Sequence, residues 1–187
     1  MLVMPPNTTP LKVLGIDPGT VTLGVAGVHW DMVSQKFHVD MAFTLQANDR
    51  LLGYQSITET HGSRISRFYQ QADELHSIFY NVQPHAVVAE SPFMGKFAQS
   101  FGALTECVLN IRQTLFNYDP TMPLVQVDPT TVKKTVGVRK GFMSDKEEVR
   151  RALRDRTDLS WGVDLESLDE HSVDAIAVAL YYMLVLV

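Results

Sequence analysis

Residues 12–29 read KVLGIDPGTVTLGVAGVH. Lys12 to Asp17 is a short apolar run that closes on a carboxylate, Pro18, Gly19 and Thr20 supply a turn, and Val21 to His29 is a second run. Short apolar runs bounded by Pro and Gly read as strands, and two of them joined by so tight a turn pair side by side. Lys36 to Thr44 follows as a third run, so the chain opens as an antiparallel meander. Beyond it the period changes. Ile65, Phe68, Ala72, Leu75 and Phe79 recur at three- and four-residue steps and line one face of a helix. Pro84 breaks the chain, and Ala86–Glu90 (AVVAE) is a fourth strand that again ends in an acid. The next helix places Phe101, Leu104, Val108, Ile111 and Leu115 on one side, and Leu124–Val127 is a fifth strand. Asp128 before Pro129 marks a helix start. Ser144–Glu147 and Ser167–Glu170 have capping-box spacing and open two more helices. A meander followed by strand–helix alternation gives an α/β fold, a mixed five-stranded sheet flanked by helices.

A chain of 187 residues with 45% hydrophobic residues and mean hydropathy near zero builds one core without covalent staples. Residues 1–11, rich in proline, read as a flexible arm ahead of a single domain over 12–187. Cys107 is the one cysteine, which excludes an internal disulfide and fits a reducing, intracellular (cytoplasmic) setting; its simplest role is that of a small buried apolar group. No basic segment leads into an apolar run at the N-terminus, and the apolar C-terminal stretch from Val173 is too short to span a bilayer, so no membrane role is expected. A net charge of -5 argues weakly against nucleic acid, but its distribution does not. From Thr130 to Arg154 eight basic residues face three acidic ones. Lys133, Lys134, Arg139, Lys140 and Lys146 flank the glycines of VGVRKG there, either as a solvated surface or as a patch that tracks phosphates.

Asp17 and Glu90 share one local setting, the mouth of an almost wholly apolar strand. A carboxylate there is costly unless it is exposed or faces a cation, although strand-end acids also cap turns. Asp174 sits in HSVDAIAVAL, an otherwise apolar helix, with His171 one turn earlier on the same face. A divalent cation between these groups would satisfy all of them. Oxygen donors suit Mg²⁺ or Mn²⁺, and two such ions serve phosphodiester hydrolysis. Glu170 and Asp169 are explained more simply, by the capping box and by the helix dipole.

Four blocks of this chain resemble the RuvC-type Holliday junction resolvases of the ribonuclease H-like superfamily. They are Gly15-Ile-Asp17-Pro-Gly19-Thr20 with Leu23-Gly24-Val25-Ala26, Glu90-Ser-Pro-Phe93-Met-Gly-Lys96, Val127-Asp-Pro with Val132-Lys-Lys-Thr-Val-Gly137 and Asp145-Lys146, and His171-Ser-Val-Asp174-Ala-Ile-Ala-Val-Ala. They occur in the family's order and cover most of residues 12 to 184. The resemblance implies a ribonuclease H-like fold with Asp17, Glu90 and Asp174 as catalytic metal ligands. The fourth ligand position usually holds an acid and here holds His171, as ligand or proton carrier. It implies two Mg²⁺ ions per site, with Mn²⁺ as a substitute. Phe93 becomes the aromatic that enters the junction and stacks on bases. Lys96 and the basic segment become DNA contacts, with Lys134 and Lys146 at matching positions. The partners implied are four-way or branched DNA and a second copy of the chain, joined through the helix of Phe101 to Leu115; a motor-protein partner is not implied. The rivals are a less selective flap or branched-DNA nuclease or a ribonuclease H of the same superfamily, and a junction-binding module without chemistry. An actin-like kinase shares the GIDPGT turn but needs two such domains.

Overall fold

A computed structural model describes residues 10–48, 50–94, 97–138 and 145–186, the side chains of 145 and 146 excepted. The opening meander forms as β1 (Leu11–Asp17), β2 (Thr22–Asp31) and β3 (Lys36–Gln46), antiparallel in sequence, with Asp17 opposite Gly24. Leu11, assigned to the arm by sequence, is already paired with Trp30. β4 (Ala86–Glu90) lies parallel to β1, and β5 (Leu124–Val127) parallel to β4.

The sheet has six strands, not the five expected, in the order β5-β4-β1-β2-β3-β6. β6 (Leu159–Trp161) runs parallel to β3. Three residues are too few to show a period, and β6 is held by its neighbours: Phe37 N donates to Asp158 O, and Gly162 N donates to Val39 O.

Strand alternation sorts the core into two layers. Leu14, Ile16, Leu23, Val25, Val87 and Ala89 face one way. They pack against α2 (Ser63–Val82) and α3 (Ala98–Tyr118) through Phe68, Leu75, Phe79, Ile111 and Leu115. Val13, Ala26, Val28, Val39 and Val88 face the other way, against α6 (Glu170–Leu186), with α4 (Pro129–Val136) and α5 (Asp145–Arg154) beside it. A short α1 (Gln55–His61) precedes α2. Phe101 and Leu104, expected inside, are only partly covered.

Asp128 accepts from Thr131 N at 2.8 Å with Pro129 next, as the sequence implies. The capping box at Ser167–Glu170 does not form. Ser167 belongs to a 3-10 turn and gives its hydroxyl to Asp164 O. Asp169 does the capping, its Oδ1 accepting from Ser172 N at 2.9 Å and from Thr44 Oγ1 at 2.6 Å. Asp169 wins because its carboxylate serves a strand hydroxyl and the helix end together. Ser144, of the other box, lies outside the described residues.

At Gly15 and Gly24, α6 meets the sheet without an intervening side chain. A Cβ on Gly15 would fall 2.2 Å from Ala175 O and 2.7 Å from Ala179 N, and one on Gly24 would fall 2.1 Å from His171 O. Backbone lies on backbone along this seam, with the small side chains of Ala175 and Ala179 completing it.

Candidate active site

Period two decides where the strand-end acids point. Asp17 follows Val13 and Gly15 on β1, and Glu90 follows Val88 on β4, so both belong to the face that α6 covers. The β1–β4 ladder ends at Ile16 opposite Ala89, which leaves the two acids side by side just past it. On the other flank of Asp17 stands Gly24, over which the first turn of α6 is seated. That seat delivers His171 and, one turn on, Asp174.

His171 Nδ1 is 2.7 Å from Asp17 Oδ2, and its Nε2 is 3.0 Å from Thr22 Oγ1. Glu170 Oε1 stands 3.8 Å from the same Nε2, so Glu170 is at the site rather than in a cap. With Asp17 ionised, a neutral ring keeps its proton on Nδ1 and accepts at Nε2.

All three carboxylates are raised, by burial above all. Burial pushes Glu90 up to about 8, with Asp17 and Asp174 adding to it. Burial, then Asp17, pushes Asp174 up to about 6. Asp17 is raised by burial as well, against the hydrogen bond from His171. Lys133, half-buried on α4, lowers both Glu90 and Asp174. It therefore lies within electrostatic reach of the acids. Lys134 beside it is exposed.

Buried carboxylates that repel one another and border an open cleft have the donor chemistry of a hard divalent cation site. Among the described residues no three His, Cys, Asp or Glu side chains already stand at ligating distance from one point. His171 is turned onto Asp17 and Thr22 instead. The donor types, and the repulsion that helps raise Glu90 and Asp174, fit a cation.

The cleft beside the acids is lined by Asp17, Glu90, Ser91, Pro92, Phe93 and Pro129. Ser91 anchors its floor, giving N–H and hydroxyl to Val127 O at 2.8 and 3.1 Å. Phe93 is 67% exposed at its rim, and Met94 and Phe97 are exposed near it in sequence, so none of the three is core. Lys96, Arg139 and Lys140 lie outside the described residues, as does the side chain of Lys146.

Sequence reasoning passed over Thr22, the glycine seam and the nearness of Lys133 to the acids. A signal existed for the seam, since Gly15, Gly24 and the alanines of α6 are small residues where strands and helix otherwise carry large ones.

No family model matches the chain. It is 31% identical over 112 residues to the crossover junction endodeoxyribonuclease RuvC of a Sulfurovum species, a match spanning 59% of this chain and 65% of that relative's length. It is 27% identical over 171 residues to the enzyme of the same name from Chloroflexus aggregans, covering 91% of each. The structure is similar to that of Thermus thermophilus RuvC in complex with Holliday junction substrate, with a TM-score of 0.66 at 19% identity over 92% of this chain and 93% of that one. At that identity the likeness speaks for the fold.

Proposed function

The chain is of the RuvC type in sequence and fold, and from that premise we propose that it is a metal-dependent endonuclease that cuts four-way DNA junctions, acting as one nuclease domain over residues 12–187. The observation that carries the reading is the grouping of Asp17, Glu90 and Asp174, from β1, β4 and α6, with Asp17 and Glu90 lining a cleft rimmed by an exposed aromatic.

Asp17, Glu90 and Asp174 would hold the metal, with His171 as the fourth group. Mg²⁺ or Mn²⁺, two ions per site, supplies charge neutralisation and Lewis acidity at the phosphodiester when bound. The protein's own part is positional. Asp17 fixes the His171 ring through Nδ1, which leaves Nε2 as the nitrogen able to take a proton. Lys133 offsets negative charge at the edge of the cluster. Water attacks phosphorus, the bond to the 3′ oxygen breaks, and a 5′-phosphate and a 3′-hydroxyl remain for ligation. Phe93 stacks on bases at the branch, and Lys96 together with the basic segment, Lys134, Arg139, Lys140 and Lys146 included, follows the phosphates.

Two strands of a junction must be cut at related positions, which a two-fold dimer matches. Leu109 and Phe116, seven residues apart on α3, are large apolar groups exposed on one side of it, which supports α3 as the dimer contact. No helix among the described residues is long and apolar enough to cross a membrane.

The test is a panel of duplex, RNA–DNA hybrid, flap and four-way substrates in Mg²⁺ and in Mn²⁺, with Asp174→Asn alongside. The wild-type chain should cut the four-way substrate in preference to the others, and Asp174→Asn should bind it in Ca²⁺ without cutting in Mg²⁺. Preference for the hybrid or the flap would replace the reading with one of its rivals, and near wild-type cutting by Asp174→Asn would remove the metal site.

A further inference from the structure

The turn that follows Asp17 is gripped from the opposite side of the sheet. Gly19 O accepts from Gln71 Nε2 on α2 at 2.8 Å. Cys107 Sγ on α3 lies 3.5 Å from that same oxygen and 3.9 Å from Gln71 Oε1. Arg67 Nε, one turn before Gln71, donates to Thr20 O at 3.0 Å. Two helices thus hold successive carbonyls of one turn.

Gln71 is 1% exposed and lies on the stripe of Phe68 and Leu75, where an apolar residue would pack without needing partners. A carboxamide there is costly unless hydrogen-bonded, and its bonds run to the turn and to the buried Cys107 thiol. Burial pushes that thiol up to about 12, so it stays a neutral, weak donor. The turn has little slack of its own, since a Cβ on Gly19 would fall 2.0 Å from Thr22 O. Its two ends carry Asp17 and Thr22, the two residues that meet the two nitrogens of His171.

The geometry points to Gln71, supported by Arg67 and Cys107, as a positioning residue that holds the Asp17–Thr22 turn in register with His171. The inference deepens the nuclease reading and rests on it. Gln71 touches neither DNA nor metal; it acts through the Gly19 carbonyl. Loss of that hold lets the turn shift, and displacements on the order of 1 Å cost about a hundredfold where geometry governs rate.

Gln70 provides a matched control. It is also buried and exchanges two hydrogen bonds with Asn48, Nε2 to O and N to Oε1, both 2.9 Å, in a different loop. Gln71→Met and Gln70→Met each delete buried carboxamide bonds at similar volume. The first readout needs neither metal nor DNA: amide hydrogen exchange over residues 18–22. Gln71→Met should speed it on the order of tenfold, with Gln70→Met close to wild type. The second is the Mg²⁺ concentration for half-maximal junction cutting, which should rise several-fold in Gln71→Met with a fall in kcat, and hold in Gln70→Met. Unchanged exchange in Gln71→Met, or equal changes in both variants, overturns the proposal. If Gln71→Met does not fold, Arg67→Met reads the same turn from a half-buried position with the same two outcomes. If the wild-type chain cuts no junction, the nuclease reading falls while the exchange measurement still decides whether Gln71 holds the turn.

Discussion

Glu90 and Asp174 titrate well above ordinary carboxylates because they are buried beside one another and beside Asp17. The sign of the consequence follows from linkage. An acid whose folded pKa is raised binds its proton more tightly when folded, so its stabilising contribution is complete below the unfolded value and is lost as pH rises through the folded one. For the metal-free protein that loss runs through about 6 for Asp174 and about 8 for Glu90. Melting temperature in EDTA should therefore fall between pH 5 and pH 9, and Mg²⁺ should restore more of it at the alkaline end. Glu90→Gln should abolish cutting yet raise the metal-free melting temperature at pH 8.5 by several degrees, about 2–4 °C for each kcal/mol relieved in a chain of this size. A lower melting temperature for Glu90→Gln at that pH would mean that its carboxylate stabilises the empty fold and is not strained within it. Asp17 and Glu90 were legible in sequence because a charge at the end of an apolar strand is conspicuous, and Asp174 because helical spacing pairs it with His171. Gln71 was legible in principle. It falls on the stripe of Phe68 and Leu75, but Ala72 next to it satisfies the apolar pattern equally well, and nothing in the pattern reports which turn a buried amide meets.

Elements set what residues alone do not, the distance between the His171–Asp174 turn and the strand ends. Gly24→Ala and Gly27→Ala separate that function from simple intolerance of the sheet. The added methyl meets helix backbone, His171 O at 2.1 Å, in the first case, and the flexible Met41 side chain at 3.2 Å in the second. Gly24→Ala should cost about 1–3 kcal/mol and most of the cutting activity, whereas Gly27→Ala should fold and cut nearly as wild type. Equal behaviour of the two variants in thermal melts and junction assays would dismiss the seam as a positioning feature. Phe93→Ala makes the opposite point at the loop after β4. The ring is mostly exposed, so melting should change by less than about 0.5 kcal/mol while junction cutting falls sharply. A collapse in melting temperature would return Phe93 to the core. At this scale β4 and β5 were read to the residue from short apolar runs bounded by turn formers. β6 was missed because its three residues belong to the sheet through the neighbours' hydrogen bonds rather than through a pattern of their own. The start of α6 was misplaced because Ser167 and Asp169 are both capping types, and only tertiary contact with Thr44 separates them.

For the molecule as a whole, the acidic total conceals a division of labour. The net charge is -5, yet the segment from Thr130 to Arg154 is basic, and the structure sets its Lys133 against the carboxylates and its Lys134 toward solvent. Composition cannot report such a division; position along the chain can. The outer side of α3 belongs to this scale too. Leu109→Asp with Phe116→Asp should leave the monomer folded and sediment at half the wild-type mass, with the two nicks of a junction no longer made together. Wild-type sedimentation by that variant would move the dimer contact off α3.

The seam between α6 and the sheet has a further consequence for how this protein tolerates change. Side-chain interfaces can loosen by degrees, one rotamer at a time, and a site built across them drifts out of tune before the fold is lost. Peptide planes in van der Waals contact have no such intermediate settings. Where Ala175 and His171 carbonyls rest against Gly15 and Gly24, the gauge of the site is the bond geometry of the main chain itself. Core side chains away from these two glycines can thus change without altering how α6, and with it His171 and Asp174, is seated on the sheet.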